Sequence, residues 1–170
     1  MAQQKKRILI PSGYSKLERE AIAERIIERI IKRTKSGKDV DGDKFAAYSK
    51  AYKKSLDFKI AGKSSKVNLT LSDEMLNSIE HLSDQYNSVT VGIPADDKRN
   101  NGKAEGNQKG TYGNKRQVAP KREFLGLSNG ELQAILKEFP KESSLERAAR
   151  IVAARRAAKA LAEDIDVTNT

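Results

Sequence analysis

Cysteine and tryptophan are absent from the 170-residue chain, and it contains one histidine, His81. Without cysteine there are no disulfides and no zinc sites with cysteine ligands, so packing must stabilise the fold, and the composition fits a reducing cytoplasm. A single histidine leaves no histidine cluster for a metal. Long apolar runs are also lacking: only residues 8–10 follow the basic residues 5–7, which is far too short for a signal peptide or a membrane span. We therefore expect a soluble protein with no membrane partner.

Aromatic residues are scarce, at 5% of the chain, while 37% of the residues are apolar and 33% are charged. This balance lies toward the polar limit of globular proteins, so part of the chain is expected to extend from the core. The length suits one domain with extensions. We predict an N-terminal arm over residues 1–14, an α+β domain over residues 15–140 with long basic loops at 34–66 and 95–119, and a C-terminal helical extension over 141–170.

Positive charge exceeds negative charge, and the formal net charge is +10. Residues 32–66 contain eleven Lys and Arg against four Asp and Glu, and residues 95–122 contain eight against three. Residues 67–94 contain four acids and no Lys or Arg. Cationic side chains on extended segments favour a polyanion or an acidic protein surface as partner. They are equally consistent with a basic surface that only keeps the protein in solution.

The strongest local signal is a helix over residues 15–33. Ser15 and Glu18 have the spacing of a capping box, and isoleucines then recur on one helical face. An apolar face this broad favours a sheet as its packing partner. Alternating apolar residues predict two strands, at residues 67–71 and 89–93.

Two shorter helices are predicted between these elements. Phe45, Tyr48 and Tyr52 recur at helical spacing and predict a short helix docked by its aromatic rings. A cap at Ser72, followed by an apolar stripe that ends at Leu82, predicts another helix.

Residues 95–119 contain four glycines and hardly an apolar residue, which predicts a long loop. This loop leads into an apolar stretch at residues 124–127, which we call the plug and expect to anchor the loop. The spacing of Ser128 and Glu131 predicts a second capping box, opening a helix that Pro140 ends.

A last helix is predicted from Ser143 or Ser144 to about residue 162, with a third capping box and an alanine-rich body. Its arginines point in several directions, so it is either an arm that packs on a neighbouring subunit or a solvated terminal helix. Together these signals predict an α+β fold: a long N-terminal helix on a small antiparallel sheet, with short helices and a C-terminal helical arm.

Patterns that carry chemistry in other proteins are incomplete in this chain. Residues 62–65 match the end of a phosphate-binding loop, but Asp57 stands where its first glycine is needed. Residues 39–43 have the acidic spacing of a calcium loop, yet Lys44 and Lys50 stand where Gly and Glu are needed. We therefore expect a protein that is not an enzyme and that uses no cofactor or metal.

Three blocks taken together resemble the virion morphogenesis, or tail completion, proteins of Mu-like and related tailed bacteriophages. The first is an isoleucine-rich helix running into a basic segment that contains Tyr48-Ser-x-x-Tyr52. The second is VNLTLSDEMLNSI at residues 67–79, similar to that family's strand, polar turn and Met-Leu helix. The third is PKREFLGLS at residues 120–128, similar to its Pro-x-Arg-x-Phe-Leu-Gly plug. Order and approximate spacing agree over residues 17–139.

This resemblance implies a structural virion protein of the phage neck or tail end, made in the host bacterial cytoplasm. It would form a ring, a hexamer by analogy with the family, that completes the tail and joins it to the head connector. Its partners would be copies of itself and the neighbouring connector, tail terminator or tail tube proteins, and non-specific contact with genomic DNA is compatible with this position. The alternative is a basic accessory protein that binds DNA without sequence preference.

On this interpretation, Arg116, Lys121 and Arg122 face acidic partner surfaces or DNA, while Phe124 and Leu125 pin the loop. In this resemblance the chain departs from the family at residues 107–108, where Asn-Gln replaces a histidine and an acidic or amide residue. The residues that we expect at subunit or partner contacts are Arg33, Tyr48, Tyr52, Arg116, Lys121, Arg122, Phe124, Leu125, Arg150, Arg155 and Arg156.

Overall fold

The computed structural model divides the chain into two units, residues 1–139 and residues 140–170. It describes residues 2–60, 62, 67–69, 73–112, 117–118, 120–141 and 152–153. Within these residues no helix is long and apolar enough to cross a membrane.

The first unit is built from short helices and strands around one long helix. Its helices are α1 (Lys16–Lys35), α2 (Lys50–Lys54), α3 (Leu56–Ile60), α4 (Glu74–Asn77), α5 (Lys98–Lys109) and α6 (Asn129–Lys137). Its strands are β1 (Lys5–Leu9), β2 (Glu80–Gln85), β3 (Ser88–Gly92), β4 (Thr111–Tyr112) and β5 (Gln117–Val118).

Helix α1 forms where its capping residues and its apolar spacing agree. The Ser15 hydroxyl accepts a hydrogen bond from the Glu18 N–H, and the Glu18 carboxylate accepts one from the Ser15 N–H, which confirms the predicted capping box. Ile22, Ile26 and Ile30 are fully buried on one face, and α1 packs through this face against β2 and β3. The helix extends two residues beyond its predicted end.

One antiparallel sheet covers α1, with strand order β1-β3-β2. A tight turn at Tyr86 and Asn87 joins β2 to β3. Val89 and Val91 of the central strand are fully buried, as expected for alternate positions on one face of a strand. The strand predicted over residues 89–93 is therefore confirmed as β3, and the α+β fold class is confirmed with it.

Both outer strands come from segments in which no strand was predicted. β1 lies within the predicted N-terminal arm and pairs with β3, Lys5 opposite Gly92 and Leu9 opposite Ser88. β2 pairs with the other edge of β3. Its first residues fall within the helix predicted from Ser72, and only the single turn α4 of that predicted helix is helical. Strand formation depends on the neighbouring strand as much as on the local sequence pattern. Pairing with β3 makes strands of both segments.

The strand predicted over residues 67–71 is wrong for the residues that the structure describes. Val67, Asn68 and Leu69 belong to no strand, and Leu69 has a φ angle of 54°. That left-handed conformation interrupts an extended chain. Val67 is nevertheless buried in the core. Its apolar side chain therefore indicates burial and not strand pairing. The remaining residues 70–72, with the predicted cap at Ser72, lie outside the described residues.

The long loop predicted over residues 95–119 is also wrong, because α5 occupies much of it. The Asp97 carboxylate caps α5 by accepting a hydrogen bond from the Asn100 N–H at 3.0 Å. Hydrogen bonds from the Asn100 backbone and side chain lower the pKa of Asp97. Gly110, with a φ angle of 71°, ends the helix in the left-handed conformation that glycine favours.

Polar packing explains why apolar periodicity did not reveal α5. The buried Asn101 side chain donates to the Pro94 carbonyl at 2.7 Å and accepts from the Gln4 N–H at 2.6 Å. These bonds join α5 to the chain segments that flank β3 and β1. An amide therefore takes the place that a leucine has in an ordinary amphipathic helix.

The remaining predicted helices are recovered with shifted ends. The short aromatic helix begins after Ser49, which caps α2 by accepting from the Tyr52 N–H, so Phe45 and Tyr48 precede it. The capping box of Ser128 and Glu131 is confirmed at α6, which ends three residues before Pro140.

The predicted C-terminal helix is described at residues 152–153 alone, and these two residues are helical. Its predicted caps, Ser143 and Ser144, lie outside the described residues.

Two glycines provide a matched test of the β1–β3 pairing. A Cβ atom on Gly92 would lie 2.4 Å from the Gln4 carbonyl oxygen and 2.7 Å from the Lys5 Cα, whereas one on Gly130 in α6 meets nothing within 4 Å. We expect Gly92→Ala to lower the free energy of unfolding by about 1–3 kcal/mol by forcing β1 outward. Gly130→Ala is expected to raise it by about 0.5–1 kcal/mol. Urea unfolding measures both, and equal effects would contradict the register described.

Candidate subunit interface

A buried arginine at the end of α1 holds the plug in place. The Arg33 guanidinium donates from Nη2 to the Phe124 carbonyl at 2.6 Å and to the Gly126 carbonyl at 2.9 Å. Its Nη1 forms an ion pair with Glu131 of α6 at 2.5 Å. The side chain of Arg33 is only 5% exposed. One residue therefore ties α1, the plug and α6 together.

The plug is also held from its other sides. The Phe124 side chain is fully buried and Leu125 nearly so, and the Phe124 N–H donates to the Gln108 side chain of α5 at 2.9 Å. Gly126 has a φ angle of 152°, and a Cβ atom there would lie 3.2 Å from the Val40 side chain. The plug is therefore part of the core, and it contacts α5, which occupies much of the predicted loop.

A second arginine, Arg122, lies just before the plug and contacts the 34–66 segment. Arg122 is buried, and its guanidinium donates to the carbonyl groups of Ala46 and Ala47 at 3.2–3.4 Å. Its Cζ lies 5.4 Å from the centre of the Tyr48 ring, within range of a cation–π interaction. The Arg122 N–H donates to the Asn107 carbonyl of α5. Arg122 therefore fixes where the 34–66 segment leaves the core.

Three aromatic rings continue this contact along the segment. Tyr48, Tyr52 and Phe58 pack with ring centres 5.2–5.6 Å apart, two of the pairs edge to face. Burial raises the pKa of the Tyr48 phenol, opposed by hydrogen bonding with the Asn68 backbone and by the Arg122 charge. The cluster packs α2 against α3.

The side of α3 opposite this cluster is apolar and faces solvent. Leu56 is 71% exposed and Ile60 is 75% exposed. They are four residues apart and share one face of α3, while Phe58, two residues from each, points to the aromatic cluster. Lys59 beside them is exposed. We call Leu56, Lys59 and Ile60 the α3 outer face.

The predicted contact residues divide into four groups. Arg33, Arg122, Phe124 and Leu125 are buried in their own chain, so the expectation that Arg122 faces a partner or DNA is wrong. Tyr48 and Tyr52 lie in the aromatic cluster, on the opposite side of α3 from the α3 outer face. Lys121 is exposed and forms an ion pair with Glu123 at 3.1 Å. The residues outside the described part of the chain are Arg116, Arg150, Arg155 and Arg156.

Sequence reasoning missed the α3 outer face. The signal was present, since Leu56 and Ile60 have helical i, i+4 spacing within a lysine-rich segment. The predicted aromatic helix rests on Phe45, Tyr48 and Tyr52 and does not extend to this pair. Over the residues that the structure describes, no group of three or more His, Asp or Glu side chains could hold a metal.

Replacement of Arg33 tests whether the plug depends on it. We expect Arg33→Met to lower the free energy of unfolding by about 3–5 kcal/mol, because the Glu131 carboxylate and two carbonyls lose their donor. Arg33→Lys keeps the charge but not the planar fork and should fall between. Lys32→Met, at the exposed neighbouring position, is the control and should change stability by less than about 0.5 kcal/mol. Similar losses for Arg33→Met and the control in urea unfolding would contradict this role.

Comparison of the chain with protein-family models, with curated proteins and with solved structures found no match.

Proposed function

We propose that this chain is a non-enzymatic assembly subunit whose copies form a ring at the neck or tail end of a phage particle, completing the tail and joining it to the head connector. The observation that carries the proposal is the α3 outer face. Leu56 and Ile60 are largely exposed, although Phe58 of the same helix packs against Tyr48 and Tyr52.

The energetics of this arrangement suit a subunit contact. Full burial of a leucine or isoleucine side chain contributes about 1.5–3 kcal/mol of stabilisation. Two such residues exposed on one face could therefore stabilise a contact with a partner that covers them. The aromatic cluster and Arg122 order the segment before any partner binds. Less conformational freedom is then lost on association, which is how pre-organised surfaces gain affinity.

The family resemblance supplies the place of assembly. The residue blocks that carry it include the plug and Tyr48, which are the parts that anchor the α3 outer face. A subunit with different surfaces on its two sides forms heterologous contacts, which close into a ring when the rotation between copies allows. We propose a hexamer by that analogy, in contact with connector, tail terminator or tail tube proteins of the virion.

A DNA-associated accessory protein is the second candidate, and the lysines of the 34–66 segment favour it. Lys50, Lys54 and Lys59 are exposed, and none of them forms an ion pair with an acidic group in the described part of the chain. Such side chains can neutralise phosphates of any sequence.

Sedimentation velocity and negative-stain microscopy of the full chain distinguish the two candidates. We expect a closed oligomer that persists at raised salt, because apolar burial contributes to it. Leu56→Ser combined with Ile60→Ser should dissociate it, since both apolar contacts are lost. Leu9→Ser, at a leucine of the edge strand β1 that is 65% exposed, is the matched control and should leave the oligomer intact.

A wild-type protein that stays monomeric over the whole concentration range would contradict ring formation. Binding of this monomer to duplex DNA, with an affinity that falls steeply as salt rises, would favour the accessory role instead.

A further inference from the structure

An acidic groove lies between α1 and β2 on the same folded unit. It has a volume of about 460 Å³ and is lined by six side chains: Glu20, Glu24, Ile27, Ile79, Glu80 and His81. Ile27 and Ile79 are buried residues of the core, so the groove has an apolar floor. The three glutamates provide its negative charge.

The groove carboxylates are poorly compensated. Neither the Glu24 nor the Glu80 carboxylate forms an ion pair or a side-chain hydrogen bond with a described residue, and Glu20 has only the exposed Lys16 at 3.8 Å. Residues 67–94, which include the β2 side of the groove, contain no Lys or Arg at all. In a chain of net charge +10 this is a local surface of the opposite sign. A cationic partner with apolar side chains is what it would attract.

The α3 outer face of the same chain has these properties. It presents Leu56 and Ile60 one helical turn apart, a spacing of about 6 Å along the axis, with the exposed Lys59 between them and Lys50 and Lys54 on the preceding helix. Apolar residues would meet the apolar floor, and lysines would meet the glutamate rim.

We propose that the α3 outer face of one copy docks in the acidic groove of the next copy. This inference rests on the proposed assembly function and names the two surfaces that make its repeating contact. Leu56 and Ile60 lie against Ile27 and Ile79, and Lys59 lies against the rim formed by Glu20, Glu24 and Glu80.

A second copy of the chain fits the groove better than nucleic acid does, because the glutamate rim repels phosphates. The two surfaces belong to different elements, α3 on one side and α1 with β2 on the other. Contact between them is therefore heterologous: after one contact has formed, one copy retains a free groove and the other retains a free α3 outer face. That property makes a mixing experiment decisive.

The experiment uses two full-length variants, each with one surface blocked. The first carries Leu56→Asp and Ile60→Asp, and the second carries Glu24→Lys and Glu80→Lys. Each alone should associate at least about tenfold more weakly than wild type in sedimentation velocity. An equimolar mixture should form a heterodimer and no larger species, because the intact groove of the first accepts the intact α3 of the second. Asp41→Lys with Asp96→Lys, at exposed acids away from the groove, is the charge-matched control and should assemble normally.

Cross-linking gives a second measurement that does not depend on weakened assembly. Since the chain has no cysteine, Ile60→Cys and Glu24→Cys each introduce one thiol. Mild oxidation of their mixture should yield a disulfide-linked pair at several times the level reached by either variant alone. Circular dichroism and thermal unfolding establish that every variant is folded before it is compared.

The outcomes separate this inference from the function on which it rests. If wild type assembles but the Glu24→Lys, Glu80→Lys variant assembles equally well and the cysteine pair does not cross-link, the groove is not the docking site, although the assembly function stands. If wild type remains monomeric at every concentration, both are wrong. Dissociation of the groove variant together with heterodimer formation in the mixture supports both.

Discussion

The buried guanidinium of Arg33 sets the positions of the plug and α6 relative to the end of α1. Removing this charge from water is unfavourable unless its donors are used, and Nη1 and Nη2 find a carboxylate and two backbone carbonyls. Those acceptors lie on α6 and the plug, so the end of α1 dictates where both must lie. Apolar packing of Phe124 alone would allow alternative positions, whereas the fixed fork of an arginine selects one geometry.

A series of polar contacts connects Arg33 and the plug to the outer parts of the same unit. The plug is joined to α5 through Gln108, and Arg122 joins it to the 34–66 segment and its aromatic cluster. The outermost part of this series is α3, whose apolar residues would be unfavourable in water without a partner. Two buried arginines thus take part in the contacts that connect the core to the segment carrying the exposed Leu56 and Ile60.

The charge distribution adds direction to this arrangement. The basic 34–66 segment and the acidic region that includes β2 are separate in sequence and belong to different elements of one unit. Opposite charges on two surfaces of one chain favour head-to-tail contact between copies and disfavour contact between two identical faces. In the proposed contact, apolar burial would supply the attraction, and the charges would favour one orientation of the two copies.

Signals that are local in the sequence predict several elements: the capping boxes at Ser15 and Ser128, the isoleucine face of α1, the alternation in β3 and the apolar plug. Residues 5–9 and 80–85 are strands because both pair with β3, which lies far from β1 in the chain, and the local pattern of neither segment indicates this pairing. The helical state of α5 likewise depends on tertiary contacts of its amide side chains, which apolar periodicity does not reveal. Tertiary contacts also bury Arg122 and leave Leu56 exposed. Burial depends on which groups meet in space, and a one-dimensional pattern of polar and apolar residues does not contain that information.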